Sequence, residues 1–122
     1  MMAMLKSFDL VKWLERQRSF SSHTFGPGDR SKGIISHVRQ ELVEIEDATS
    51  HAEQLGEWVD VVILSLDAMW RLGYSAEEIA AAIHLKQLKN MKRRWPDWRT
   101  KSLDEAIEHD RTADPPDGPQ SR

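Results

Sequence analysis

The chain has 122 residues, 17 Lys and Arg against 20 Asp and Glu, no cysteine, and a formal net charge of −3. That length suits one domain with a moderate core, and 39% hydrophobic against 30% charged residues excludes a chain disordered throughout. The composition also excludes a membrane-spanning run, a disulfide, a thiol nucleophile and a cysteine-ligated zinc site, and it disfavours purely electrostatic binding to nucleic acid.

The residues after Met1 reach Asp9 and Trp13-Leu14-Glu15 with no apolar signal core, so no signal peptide is expected and a cytoplasmic location is. A first helix is predicted from Ser7 to Phe20, with Phe8, Val11 and Leu14 on one side. The segment from Ser21 to Asp29, with its Gly26-Pro27-Gly28, reads as a loop. A second helix is predicted from Gly33 to Thr49, and a third from Ala52 to Leu72, stopped by Gly73. Ser75-Ala-Glu-Glu78 reads as a capping box opening a fourth helix that runs to Trp95, before Pro96. A short helix over Ser102 to His109 completes the predicted elements, and residues 110–122 read as a disordered tail behind a domain of residues 1–109. The fold class is all-α.

Charge is segregated along this framework. Residues 41–60 hold seven acids and no Lys or Arg, whereas residues 86–101 hold seven bases and one acid, Asp97. On the second helix, Ile34, Ile35, Val38, Leu42 and Ile45 form the stripe expected to face the core, with His37, Glu41 and Glu44 at its edge. The third helix is apolar at nearly every position between Trp58 and Leu66, which predicts burial on most sides. Glu57 and Asp60 are set into that window, and Asp67 lies two turns beyond Asp60.

A buried carboxylate without a partner is costly, so such groups pair or bind metal. The Glu41/Glu44 and Glu57/Asp60 pairs are separated by 12 residues, enough for one tight turn between antiparallel helices. Four carboxylates meeting across that turn make an all-oxygen site suited to Mg²⁺ or Mn²⁺. On the fourth helix Ile79, Ala82 and Ile83 define an inward face whose continuation is Lys86, Asn90 and Arg93. Two cations and an amide on that face suit an anion held inside the bundle, and a metal-chelated triphosphate uses both halves.

These residues resemble the MazG-like all-α nucleoside triphosphate pyrophosphohydrolases. The signature of an acidic pair followed by Glu-x-x-Asp is matched by Gln40-Glu41-Leu42-Val43-Glu44 and Glu57-Trp58-Val59-Asp60. Gln40 replaces the first acid of the usual doublet, at a position expected to face away from the site. Thr24-Phe25-Gly26-Pro27-Gly28, His37, and Lys86-x-x-x-Asn90-x-x-Arg93-Arg94-Trp95-Pro96-Asp97-Trp98 are similar to the dATP/dGTP diphosphohydrolase branch, which includes phage-type, MazZ-like members.

The resemblance implies a MazG-like four-helix bundle completed by oligomerisation, as a dimer or a dimer of dimers, in the host cytoplasm if the chain is phage-encoded. It implies hydrolysis of dGTP or dATP to the monophosphate and pyrophosphate by water attack at the α-phosphorus, with two or more Mg²⁺ or Mn²⁺ ions per site. Glu41, Glu44, Glu57 and Asp60 would hold the metal and be catalytic, Glu44 being the candidate proton acceptor. Lys86, Arg93 and Asn90 would meet the phosphates, while His37, Trp13 and Trp95 complete the candidate substrate contacts. Neither a membrane nor a nucleic acid is an expected partner. Two alternatives stay open from the residues alone: a nucleic-acid-binding module using Lys89 to Arg99 with its tryptophans, and a non-catalytic helical interaction domain.

Overall fold

The computed structural model describes Leu5 and residues 7–113, and within these residues the chain is all-α, with four helices and no strand. The expected tail from residue 114 onward lies outside the described residues. The helices are α1 (Leu10–Phe25), α2 (Ser31–Asp47), α3 (His51–Arg71) and α4 (Ala76–Lys92). Single 3₁₀ turns follow at Trp98–Thr100 and Arg111–Ala113. No helix among the described residues is long and apolar enough to cross a membrane.

Local chemistry sets most of the boundaries. Asp9 caps α1 by accepting from the Lys12 backbone N–H at 3.1 Å. α1 then continues through Ser21 to Phe25, the first part of the segment expected to be a loop, and stops at Gly26, whose φ of +87° is open to glycine. Tertiary bonds explain the extension: Ser21 is fully buried and donates to Asp67 of α3, which fixes the last turns of α1 in spite of their weak propensity.

The α2–α3 turn is only Ala48 to Ser50, because Ser50 caps α3 through the Glu53 backbone N–H and Thr49 donates to the Glu53 carboxylate. Gly73, at φ +103°, closes α3 by donating to the Trp70 carbonyl. The capping box at α4 forms as predicted: Glu78 N–H donates to Ser75 Oγ at 3.1 Å, and Ser75 N–H donates to Glu78 Oε1 at 3.0 Å.

Two expectations fail toward the C-terminus. α4 ends at Lys92 rather than Trp95, since Pro96 biases the residue before it away from helical geometry. The segment Ser102 to His109 is one short turn, across which the Ser102 N–H donates to the Glu105 carboxylate, followed by irregular chain, and not a helix.

The described chain divides into two compact units between Ala82 and Ile83. In the first, α2 and α3 pack as the principal helix pair and α1 lies against α3. Leu14, Leu66, Trp70 and Ile79 are buried together, with Leu10, Trp13, Met69, Tyr74 and Ala76 around them. Burying each such large side chain contributes about 1.5–3 kcal/mol.

The predicted core faces are only partly buried. Of the α2 stripe, Ile45 is buried whereas Ile35 and Leu42 are exposed. On α3, Trp58, Val59 and Val62 are 48%, 44% and 56% exposed, against the expectation of a helix covered on most sides. Within a single chain the apolar window faces one packed neighbour along this stretch, α2, and its opposite side stays open.

Candidate active site

Glu41, Glu44 and Glu57 converge. One carboxylate oxygen from each lies within 4.8 Å of the others, where α2 and α3 face each other beyond their short turn. Helical spacing accounts for this: Glu41 and Glu44 are one turn apart on α2, and the turn at residues 48–50 brings Glu57 back opposite them. Asp60 is exposed and stands one turn further along α3 than Glu57, outside the three-way group.

Glu41 is the deepest of the three, only 6% exposed. Its Oε1 lies 3.2 Å from His37 Nε2, an ion pair when the imidazole is protonated, whereas its Oε2 is buried with no hydrogen-bond partner. An orphaned, buried carboxylate oxygen is unfavourable unless a cation or donor meets it. Glu44 is half-buried, and the exposed Gln40 approaches it along the helix surface, Nε2 to Oε1, at 3.5 Å.

Crowding of like charges shows in the protonation of Glu57, whose pKa is pushed from 4.5 up to about 7. The neighbouring Glu41 carboxylate, which a protonated Glu57 would meet, is the main cause, followed by desolvation, the Glu44 carboxylate, and repulsion from both charges. Three hard oxygen donors, one of them orphaned, fit a hard divalent cation and give a soft metal nothing to prefer.

Beside this group, further along α2 and α3, lies a pocket of about 100 Å³ whose walls include Phe25, Ile34, His37, Leu64, Asp67 and Arg71. Its polar wall is a connected network. Asp67, 6% exposed, accepts from Ser21 Oγ at 2.7 Å, Trp70 Nε1 at 3.1 Å and Gln17 Nε2 at 3.3 Å. Three donors therefore compensate its burial.

Arg71 donates to Ser21 Oγ at 3.1 Å and, through one nitrogen, to the carbonyls of Gly26 and Gly28 at 2.8 and 3.0 Å. Its guanidinium lies 4.4 Å from the centre of the Trp70 ring, and its Nε is buried without a partner. Asp67 stood out in the sequence as an acid in an apolar window, but neither Arg71 nor Gln17 carried any signal there. A buried acid calls for donors, and no spacing rule says that they come from the end of α1.

The remaining expected site residues are placed as follows. His37 borders both the acidic group and the pocket. Trp13 packs against the apolar core, half-buried, and lies 6.3 Å from the Phe8 ring. The predicted inward stripe of α4 ends at Ile79: Ala82, Ile83 and Lys86 are exposed.

In the second unit Asn90 and Arg93 are half-buried, and Asn90 Oδ1 accepts from Arg93 at 2.7 Å. Trp95 Nε1 donates to the Asn90 carbonyl at 2.8 Å, and its ring meets His109 edge-on at 5.6 Å. Asn90, Arg93 and Trp95 thus form one local assembly at the end of α4.

No curated protein and no solved structure matches this chain. A family model described as dATP/dGTP pyrophosphohydrolase matches residues 13–114, which takes in all of α2, α3 and α4 and the acidic group they carry. The chain therefore belongs to the dATP/dGTP pyrophosphohydrolase family and is a nucleoside triphosphate pyrophosphohydrolase.

Proposed function

We propose that the protein hydrolyses dGTP and dATP to the monophosphate and pyrophosphate by water attack at the α-phosphorus, with Mg²⁺ or Mn²⁺ held by Glu41, Glu44 and Glu57 and by Asp60 one turn along α3. The observation that carries this reading is the convergence of three carboxylate oxygens within 4.8 Å, with a buried oxygen of Glu41 left unpartnered. When bound, divalent cations supply neutralisation of the phosphates and a lowered pKa for the attacking water.

The chain's own residues do the rest. His37, whose Nε2 lies 3.2 Å from Glu41 Oε1, is proposed to fix the orientation of that carboxylate. Glu44, half-buried, is the proposed acceptor of the water's proton, because it belongs to the cluster and is not held by His37. Glu57, its pKa raised to about 7, would give up its proton to serve as a ligand to a divalent cation. Lys86, Asn90 and Arg93 are proposed to carry the charge of the departing pyrophosphate. Their support is chemical, two fixed cations and an amide within eight residues.

The test is a panel of the four dNTPs with product identification. Pyrophosphate and dGMP or dAMP are expected, and orthophosphate or inorganic triphosphate would refute the mechanism.

A further inference from the structure

The chain from Lys101 to Glu108 is exposed throughout, yet His109 and Asp110 are half-buried. What they meet is the end of α4. Asp110 donates its backbone N–H to the Arg94 carbonyl at 2.8 Å. The His109 ring stands edge-on to Trp95, with 5.6 Å between centres and 71° between planes. Asp110 is held in turn, since its Oδ1 accepts from the Thr112 N–H at 3.0 Å and the Thr112 hydroxyl at 2.6 Å, in the 3₁₀ turn at Arg111–Ala113.

A brace at this point answers a local problem. The last carbonyls of a helix have no partner within it, and α4 ends at Lys92. The Asn90 carbonyl is one of these, and it accepts from Trp95 Nε1 at 2.8 Å and from the Arg93 N–H at 3.3 Å. The Asn90 side chain receives Arg93 as well, at 2.7 Å. All of these bonds join residues 90 to 95, where Arg94 and Trp95 are exposed. Bonds so local return little of the entropy lost in fixing the segment that makes them. His109 and Asp110 hold it from outside.

We propose that His109, anchored by the Asp110 backbone, is a positioning residue for the pyrophosphate end of the substrate: it keeps Trp95 on the Asn90 carbonyl, and so keeps Asn90 and Arg93 in the arrangement that meets the phosphates. The inference rests on the proposed part of Asn90 and Arg93 in carrying pyrophosphate. His109 acts through Trp95 and touches no phosphate itself. An anion that meets a guanidinium already fixed by Asn90 Oδ1 keeps the full gain of the contact, whereas one that meets a loose guanidinium must first order it. The effect therefore falls on affinity for the phosphate end and spares the nucleoside end.

The test is calorimetric titration of inorganic pyrophosphate and of dGMP, in Mg²⁺, into the parent, Arg93→Ala, His109→Ala and His109→Phe, with circular dichroism to check the fold. Arg93→Ala is expected to weaken pyrophosphate binding by about tenfold or more. His109→Ala is expected to weaken it by about three- to tenfold and to leave dGMP binding unchanged, a split that general loosening of the fold would not give. His109→Phe, which restores a flat ring edge against Trp95, is expected to recover the parent's affinity for pyrophosphate.

If His109→Ala does not fold, His109→Leu takes its place, since it keeps the bulk without the flat ring. Pyrophosphate affinity that falls in Arg93→Ala but holds in the folded His109 variant overturns the brace while the reading of Arg93 stands. Equal losses for pyrophosphate and dGMP, or a phenylalanine no better than alanine, overturn it too. A parent that binds no pyrophosphate, or an Arg93→Ala variant that binds it as well as the parent, sinks the reading of Arg93 and the brace with it.

Discussion

Glu41→Gln is expected to stabilise the metal-free protein and to abolish its response to divalent cations. In the parent, the Glu41 and Glu44 oxygens lie within 4.8 Å, and Glu41 is almost fully buried. Two unit charges at that spacing repel by about 3.5 kcal/mol at an effective dielectric near 20, and by about 1 kcal/mol in bulk water. Glu44 is half-buried, so the relief lies between those limits. Against it stands the weakened His37 contact, worth at most about 1 kcal/mol because His37 is exposed. The net gain is about 1–2 kcal/mol, or roughly 4–8 °C in Tm for a chain of this size.

The assay is thermal unfolding followed by circular dichroism, first in a chelator and then in Mn²⁺. In the chelator the variant is expected to melt above the parent. In Mn²⁺ at about a hundred times its Kd, the parent gains about 2.7 kcal/mol and the variant almost nothing, so the order reverses. A variant that melts below the parent in the chelator, or that gains as much from Mn²⁺, refutes the reasoning that Glu41 is a strained ligand awaiting a cation.

Other outcomes follow from the same geometry. Glu57→Gln and Asp60→Asn are each expected to abolish turnover with helicity retained, and rates within a few-fold of the parent in both would remove these residues from the site. Because the folded pKa of Glu57 is raised from 4.5 to about 7, the folded state holds the extra proton between those values. Stability of the metal-free parent relative to Glu57→Gln is therefore expected to fall as pH rises from about 4.5 to 7 and to level off above it, read as urea midpoints at each pH. Leu14→Ala, at a site 2% exposed against Leu66 and Trp70, is expected to cost about 2–5 kcal/mol in urea unfolding.

What the sequence revealed and concealed divides by the range of the interactions. The capping box at Ser75 and Glu78 and the close of α3 at Gly73 are decided within a few residues, and a linear pattern carries them. The acidic group is nearly as local, since helical spacing and one three-residue turn bring Glu57 to Glu41 and Glu44. Asp60 was indistinguishable from its neighbours by spacing, because spacing does not report which side chain ends in solvent.

The last turns of α1 looked like part of a loop because Gly26-Pro27-Gly28 breaks the chain just after them. What holds them is Asp67, 46 residues from Ser21. The apolar window of α3 misled in the opposite direction: hydrophobicity announces a surface to be covered, but not what covers it, and in one chain Trp58, Val59 and Val62 stay open.

The guanidinium of Arg71 joins the chain reversal after α1 to the far end of α3 by gripping peptide oxygens of Gly26 and Gly28, not side chains. Such a clasp is indifferent to what decorates the reversal and sensitive only to its path. The two glycines, at φ +87° and +89°, are bound to a backbone route that other residues seldom follow. Lysine, with a single ammonium point, lacks the planar fork that spans both oxygens and the Ser21 hydroxyl, so arginine here is a structural commitment made by geometry rather than by charge.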